Sequence, residues 1–300
     1  MKYDSVAELC ALAKEKGCLI SDIVITEQAK AQEVTEEALV ERMEKSFAVM
    51  EESVASGFEE GLVSASGLTG GAAYKMKQAV DEGKTICGKF FGEALAKALA
   101  VSETNACMGK IVAAPTAGSC GILPAALLTL MEEKQLPRQT MVRALFTASA
   151  VGMVIAKNAS IAGAEGGCQA ECGSASAMAA AALVEACGGT VDMVSHACAI
   201  AIKNILGLVC DPVAGLVEIP CTKRNAAGVA NAFVAAELAL AGIESAIPAD
   251  EVIWAMKKVG DSMSAALKET AEGGLAATPT GKRLCRRVFG ERTCNGGKEL

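Results

Sequence analysis

Glycine-rich loops that alternate with alanine-rich segments constrain the fold of this chain more than any other feature of its sequence. From about residue 105 onward, charged residues become sparse, and each glycine loop leads into a run of Ala interleaved with Leu, Val, Ile and Met. Ala is the best helix former, and the larger residues give each run a face that can pack. Few segments show β-branched alternation, and no strand–helix–strand order is visible. The sequence therefore predicts an all-α fold.

The composition predicts how the core of such a fold is built. Only 3% of the residues are aromatic although 52% are apolar, so the core must consist of small and aliphatic side chains. No internal repeat and no linker is visible, and we predict one domain over residues 1–300. Within it, residues 1–60 form a helical N-terminal segment with helices at Ser5–Lys16 and Glu27–Glu52, and residues 285–300 form a basic tail.

Charge and hydropathy exclude two classes of protein. The net charge of −7 and the pI near 5.1 argue against a nucleic-acid binder, which would need a basic face. The opening MKYDSVAELCALAKEKG has no apolar segment of the kind found in signal peptides. The longest uncharged run, 111–131, is broken by two prolines and two glycines, so we do not interpret it as a membrane span. We expect a cytoplasmic protein.

Thirteen cysteines are an unusual number for such a chain. An odd count and the lack of a secretion signal argue against a disulfide framework, and most free thiols are buried as small hydrophobic groups. Three cysteines are expected at helix ends: Cys168 and Cys221 where helices begin, and Cys210 at the end of a run that starts near Val194. No CxxC pair is present. Structural zinc needs four ligands, whereas an iron–sulfur cluster held by three cysteines leaves one iron open to a substrate. Their spacing alone favours core packing.

Two glycine loops are candidates for binding an anion. The segment PTAGSCGILP (115–124) precedes a helix and could direct N–H groups and hydroxyls at an anion. The segment NASIAGAEGGCQAE (158–171) precedes a second helix. On loop character alone, ordinary helix starts with good capping residues are favoured. The candidate substrate-binding residues are Thr116, Gly118, Ser119, Gly121, Asn158 and Ser160.

Two further features are interpreted as structural. His196, the only histidine, lies in a helical run, where a hydrogen-bonded core or boundary residue is more common than a base or a metal ligand. The segment GKRLCRRVFGERTC is locally basic and carries Cys285 and Cys294. A solvated tail is the default interpretation, and contact with an anionic substrate or a cluster is the alternative.

Four motifs, in order along the chain, resemble those of one known family. They are PTAGSCGILPA, NASIAGAEGGCQAE with GSASAMAAAA, NILGLVCDPVAGLVEIPC with TKRNA, and GGLAATPTGK. The chain is similar over about residues 60–285 to the iron–sulfur-dependent L-serine dehydratases, specifically to the α chain of the two-chain type. The resemblance implies an all-helical catalytic domain. It also implies a [4Fe-4S] cluster held by Cys168 of EGGCQAE, Cys210 of LVCDPV and Cys221 of IPCTKRNA.

The resemblance also implies a reaction and a partner. L-serine would bind through its β-hydroxyl to the open iron, and a base would remove the α proton. Water would leave, and the product would hydrolyse to pyruvate and ammonia. Single-chain relatives carry an extra domain with a Ser-His-Thr-type motif whose histidine can serve as the base. That motif is absent here, and His196 does not match it. We therefore expect the base on a separate β chain, in a heterodimer or larger assembly, and expect this chain alone to be inactive.

Three alternatives stay open at the level of sequence. An L-cysteine desulfidase uses a similar cluster and the same elimination logic. A cluster-bearing sensor or scaffold would perform no chemistry, and a plain helical protein with buried thiols would contain no iron. Some relatives place a C-terminal cysteine on the open iron, but we do not transfer that role to Cys285 or Cys294.

Overall fold

A computed structural model describes residues 3–290 of this chain and shows an all-α architecture, as predicted. Over those residues the only strand-like pairing is an isolated parallel bridge between Cys210 and Lys268. Short 3-10 turns and one π turn connect the helices. The described helices are α1 (Val6–Lys16), α2 (Ile20–Ala31), α3 (Glu36–Gly57), α4 (Ala72–Asp81), α5 (Gly88–Ala106), α6 (Ile122–Lys134), α7 (Arg138–Asn158), α8 (Gly163–Gly166), α9 (Ser174–Ala186), α10 (Val191–Lys203), α11 (Cys221–Leu240), α12 (Ala249–Ser262) and α13 (Pro279–Phe289).

Helix α9 lies at the centre of the fold. Every residue from 174 to 185 is buried, because α6, α7, α10 and α11 pack around it. The side chains of its sequence SASAMAAAALVEA are small enough that neighbouring helices can pack on all sides. The approach of α11 shows how close the helices come: a Cβ added at Gly228 would lie 2.3 Å from Cδ1 of Ile122 on α6 and 3.3 Å from Oγ of Ser176 on α9. The low aromatic content is therefore a requirement of the packing.

Helix α7 is long and apolar enough to cross a membrane by length and composition. In this fold it packs against α9 and α2, and 67% of its most apolar window is buried inside the protein. A buried core helix passes the same length and composition test. We therefore interpret α7 as a core helix.

The prediction of one helix over Glu27–Glu52 is wrong. The chain forms α2 and α3 with a turn at 32–35, where Glu33 has a left-handed φ of 55°. Thr35 begins the second helix, since its Oγ1 accepts a hydrogen bond from the Ala38 N–H at 3.1 Å. The helical periodicity of this segment continues through the break, so only the capping threonine marks it in the sequence.

The predicted helical run that ends at Cys210 is also wrong. Helix α10 ends at Lys203, and residues 204–209 turn back towards α9. Gly207 adopts a left-handed φ of 86°, and its N–H donates to Oε1 of Gln169 at 2.9 Å. A hydrogen bond to a distant residue thus ends the helix, and the local sequence does not carry that information.

The loop at 64–71 is fixed by buried carboxylates on both sides. The hydroxyl of Ser64 donates to Oε2 of Glu218 at 2.7 Å, and that of Ser66 donates to Oε1 of the same residue at 2.8 Å. At the other end, the fully buried Glu103 accepts hydrogen bonds from the N–H groups of Ala72 and Ala73, at 2.9 and 3.1 Å. These bonds satisfy the free donors at the start of α4. They hold the loop against the segment that leads to Cys221.

We expect Gly57→Ala to lower the free energy of unfolding. A Cβ at this position would lie 2.1 Å from the carbonyl oxygen of Ala100, so α3 would have to move away from α5. Such overpacking costs about 1–3 kcal/mol. Urea unfolding followed by circular dichroism measures the loss. Ser56→Ala, at the exposed neighbouring position, is the matched control and should leave the midpoint nearly unchanged. Equal midpoints for the two variants would contradict a tight crossing of α3 and α5.

Candidate active site

Cys168 lies where the chain enters the central helix, as predicted. It precedes a π turn at Gln169–Gly173, which continues directly into α9. Gln169 fixes this turn with its backbone N–H and with both polar atoms of its side chain. The backbone N–H donates to the Leu208 carbonyl at 2.9 Å. The side-chain Oε1 accepts from the Gly207 N–H, and Nε2 donates to a carbonyl of α12, also at 2.9 Å. The Cys168 turn is thus held against the segment that carries Cys210.

Cys210 lies in irregular structure, held by backbone bonds on both sides. Its N–H donates to the carbonyl of Leu267 at 2.9 Å, and its carbonyl accepts from the N–H of Glu269 at 2.9 Å. Its Sγ points at the second glycine loop, where a Cβ added at Gly163 would lie 2.9 Å away. The absence of a side chain at Gly163 therefore lets this sulfur approach the 158–171 loop.

Cys221 is the first residue of α11, as its position after Pro220 predicts. It is 6% exposed, and Cys168 and Cys210 are 2% and 4% exposed. The three thiols therefore come from three separate segments and are all buried.

Arg224 connects the segments that carry these thiols. It lies on α11 one turn after Cys221, and its Nη1 donates to the carbonyl of Val209 at 2.9 Å. Its Nη2 lies 2.8 Å from Oδ1 of Asp211, and the side chains are 15% and 4% exposed. This contact is an ion pair. The guanidinium thus contacts both residues that flank Cys210.

The thiols share one electrostatic environment. The hydrogen bond from Cys172 lowers the pKa of Cys168, against the effect of burial, and the charge of Arg224 lowers it further. Burial, followed by the charge of Cys168, raises the pKa of Cys221 to about 12 and raises that of Cys210. Because Gln169 bonds to Leu208 and Arg224 contacts both neighbours of Cys210, the structure brings together the segments that carry the three predicted ligands.

The 115–121 loop reaches this group through Glu171. The hydroxyl of Thr116 donates to Oε1 of Glu171 and lies 3.1 Å from the hydroxyl of Ser119. A Cβ added at Gly118 would lie 2.6 Å from the same Oε1. Burial raises the pKa of Glu171, and the bond from Thr116 opposes that shift. Three of the predicted substrate-binding residues therefore border the Cys168 turn.

Asn225 fixes the other side of this loop. It is fully buried, and its Oδ1 accepts a hydrogen bond from the Gly121 N–H at 2.8 Å. Its Nδ2 donates to the carbonyls of Gly118 and Cys221, at 2.7 and 3.0 Å. One amide thus joins the candidate anion loop to the helix start that carries Cys221.

Asn158 and Ser160 bond elsewhere. Asn158 Nδ2 donates to the carbonyls of Asp4 and Val154, at 2.7 and 2.9 Å. The hydroxyl of Ser160 donates to Oε2 of Glu165 at 2.7 Å. The structure thus engages both side chains in bonds outside the thiol group, and their role in substrate binding stays a prediction.

The remaining candidates lie apart from the thiols or outside the described residues. Nδ1 of His196 accepts a hydrogen bond from the Ser245 N–H at 3.2 Å, which fits the structural interpretation of this histidine. Cys285 lies on α13. Cys294 and the tail residues 291–300 lie outside the described residues.

Three sulfurs from separate segments, with a buried guanidinium beside them, form a donor set that fits an iron–sulfur cluster. Within residues 3–290, no three His, Cys, Asp or Glu side chains lie close enough together to hold a single metal ion. The residues present fit the group that the sequence resemblance implies.

Sequence reasoning missed the residues that position the thiols. These residues are Gln169, Glu171, Cys172, Asp211, Arg224 and Asn225. Helical spacing could have indicated some of them, because positions three and four residues after Cys221, and four after Cys168, fall on the same helix face as the thiol. The partners of Gln169 and Asp211 depend on long-range folding and leave no local signal.

Comparison with known proteins gives consistent matches along the chain. The family model described as "Serine dehydratase alpha chain" matches residues 15–276. The chain is 53% identical over 288 residues to a probable L-serine dehydratase alpha chain of Bacillus subtilis, covering 96% of each protein. It is 49% identical to the L-serine dehydratase alpha chain of Peptoniphilus asaccharolyticus, covering 95% of this chain and 98% of that one. An L-serine dehydratase of Streptomyces coelicolor is 39% identical over 90% of this chain, which matches 59% of that protein.

We expect Arg224→Met to destabilise the chain, because it leaves the buried Asp211 carboxylate without its ion-pair partner. Breaking a buried pair costs about 3–5 kcal/mol. Urea unfolding measures the loss, and Lys223→Met, at the exposed neighbouring position, is the matched control. Adding Asp211→Asn to Arg224→Met should recover part of the stability, since the unpaired charge is removed. A double variant that is less stable than Arg224→Met would contradict the ion pair.

Proposed function

This chain belongs to the serine dehydratase alpha chain family, and on that premise we propose that it is the catalytic subunit of an L-serine dehydratase. The enzyme is a lyase that converts L-serine to pyruvate and ammonia. Identity of 53% over 96% of a probable alpha chain carries this conclusion. The grouping of Cys168, Cys210 and Cys221 beside a rigid polar loop supports it independently.

The proposed cofactor is a [4Fe-4S] cluster held by Cys168, Cys210 and Cys221, with one iron site open. When bound, the cluster supplies a Lewis-acidic iron that makes the β-hydroxyl of serine a better leaving group. Binding requires deprotonated thiols, and the guanidinium of Arg224 favours the thiolate form of Cys168. Eleven of the twelve described cysteines are free thiols, and the twelfth, Cys285, is in a disulfide. Because free thiols predominate, we propose a reducing, cytoplasmic location.

The loop residues Thr116, Gly118, Ser119 and Gly121 are proposed to bind the charged end of serine. Hydroxyl and N–H groups suit its carboxylate, and the bonds of Asn225 keep the loop in one conformation without substrate. Glu171 borders the same loop, and a carboxylate there suits the ammonium group of the substrate. Asn158 and Ser160 remain predictions without a supporting contact.

The general base is proposed to come from a β chain. Relatives of this chain are named alpha chains, and a single-chain relative is substantially longer than the matched region. His196, the only histidine, accepts a hydrogen bond from the Ser245 backbone and is not proposed as the base. In this scheme the chain binds and orients serine, and the partner removes the α proton.

Anaerobic purification with quantification of iron and sulfide tests the cluster site. We expect Cys168→Ala, Cys210→Ala and Cys221→Ala each to lose most of the iron and sulfide, because all three cysteines are needed to hold the cluster. Cys198→Ala removes a thiol that is also fully buried but lies in α10, and it should retain the wild-type content. Full cluster content in all three ligand variants would refute the assignment.

Reconstitution with the β chain tests the reaction. We expect the loaded alpha chain alone to form no pyruvate from L-serine, and the assembled pair to form it. L-cysteine, assayed in parallel, should be the poorer substrate, and faster turnover of cysteine would identify a desulfidase. A loaded assembly that turns over neither amino acid would indicate a sensor or scaffold.

A further inference from the structure

A fourth thiol lies in the active site, and neither the resemblance nor the proposed mechanism uses it. Cys172 is 2% exposed, and its Sγ lies 3.3 Å from Sγ of Cys168. The two residues are four apart: Cys168 precedes the π turn at the start of α9, and Cys172 lies within it. Cys168 therefore has a second thiol as its direct neighbour, whereas the buried thiol of Cys120 donates to the Val101 carbonyl.

The separation of the two sulfurs brings them within reach of a bond. The two residues lie one helical turn apart, and disulfides span Cα–Cα distances of about 4.4–6.8 Å. The sulfurs at 3.3 Å need to approach by roughly 1.3 Å to reach the bonded length.

We propose that Cys168 and Cys172 form a reversible disulfide when the cluster-free chain meets a peroxide. Hydrogen peroxide oxidises the Cys168 thiol to a sulfenic acid and releases one water. The Cys172 thiol then attacks that sulfur, which forms the S–S bond and releases a second water. The two thiols together lose two protons and two electrons, and these reduce the peroxide to two waters.

The disulfide has a consequence that rests on the proposed function. When Cys168 is in the disulfide it has no thiolate that can bind iron, so the oxidised chain cannot assemble the proposed cluster. Without Cys172, peroxide would carry Cys168 beyond the sulfenic acid to the sulfinic acid, which thiol reductants do not reverse. The neighbouring thiol thus converts an irreversible lesion into one that a dithiol repairs.

Thiol mapping of the cluster-free full-length chain tests the disulfide without any reference to activity. The chain is stripped of iron with a chelator under reducing conditions, exposed to hydrogen peroxide, denatured and alkylated. Trypsin should then release residues 158–203 as one fragment, since no Lys or Arg lies between Lys157 and Lys203. This fragment also contains Cys187 and Cys198, which serve as internal controls. We expect it to lack two hydrogens and to be alkylated only at Cys187 and Cys198.

Cys172→Ala is the decisive variant, and Cys198→Ala is its control. We expect peroxide to leave sulfinic acid at Cys168 in Cys172→Ala, while Cys198→Ala bridges like the wild type. After dithiothreitol, the wild type should regain its iron uptake and Cys172→Ala should lose most of it. Alkylation of both Cys168 and Cys172 in the wild type, under conditions that oxidise Cys168 in the variant, overturns the proposal, as does a bridge from Cys168 to any other cysteine.

Iron uptake by the untreated wild type separates this inference from the proposed function. If the untreated chain takes up no iron, the proposed cluster and the control of its assembly both fail. The mapped fragment then still decides whether the disulfide forms.

Discussion

The packing of α9 inside the protein is the constraint on which the rest of the structure depends. Each residue from 174 to 185 is buried, and only small side chains allow four helices to approach from different sides. This arrangement places the start of the helix, and with it Cys168, inside the protein. Because α11 packs against α9, its first residue, Cys221, arrives near the same point. The core and the thiol group are therefore consequences of the same packing.

Buried amides and carboxylates then convert that packing into a defined site. Gln169, Asn225 and Glu218 are buried polar side chains, and each finds hydrogen-bond partners in loops that are distant in sequence. A buried polar group without a partner costs about 1–3 kcal/mol, so each of these bonds selects one loop conformation over its alternatives. The loops gain their rigidity from the helices behind them.

Local sequence predicts helices and helix starts well in this chain and predicts irregular segments poorly. The starts at Cys168 and Cys221 were predictable because glycine or proline precedes an Ala-rich run. The break between α2 and α3 and the end of α10 were not, since one depends on the cap at Thr35 and the other on the bond between Gly207 and Gln169. The family motifs indicated Cys210 although its local structure was predicted wrongly. A motif can thus indicate a candidate ligand without describing how it is held.

The charges around the thiols bear on the proposed cluster site. Burial is the largest cause that raises the pKa of Cys210 and Cys221, and a protonated thiol does not bind iron. At Cys168 the hydrogen bond from Cys172, and then the charge of Arg224, oppose burial and lower the pKa. Arg224 also holds the Cys210 segment through Val209 and Asp211. Cys168 therefore has the most favoured thiolate of the three. Its Sγ also lies 3.3 Å from Sγ of Cys172, so in our two proposals the thiol best suited to bind the cluster is also the one that forms the disulfide.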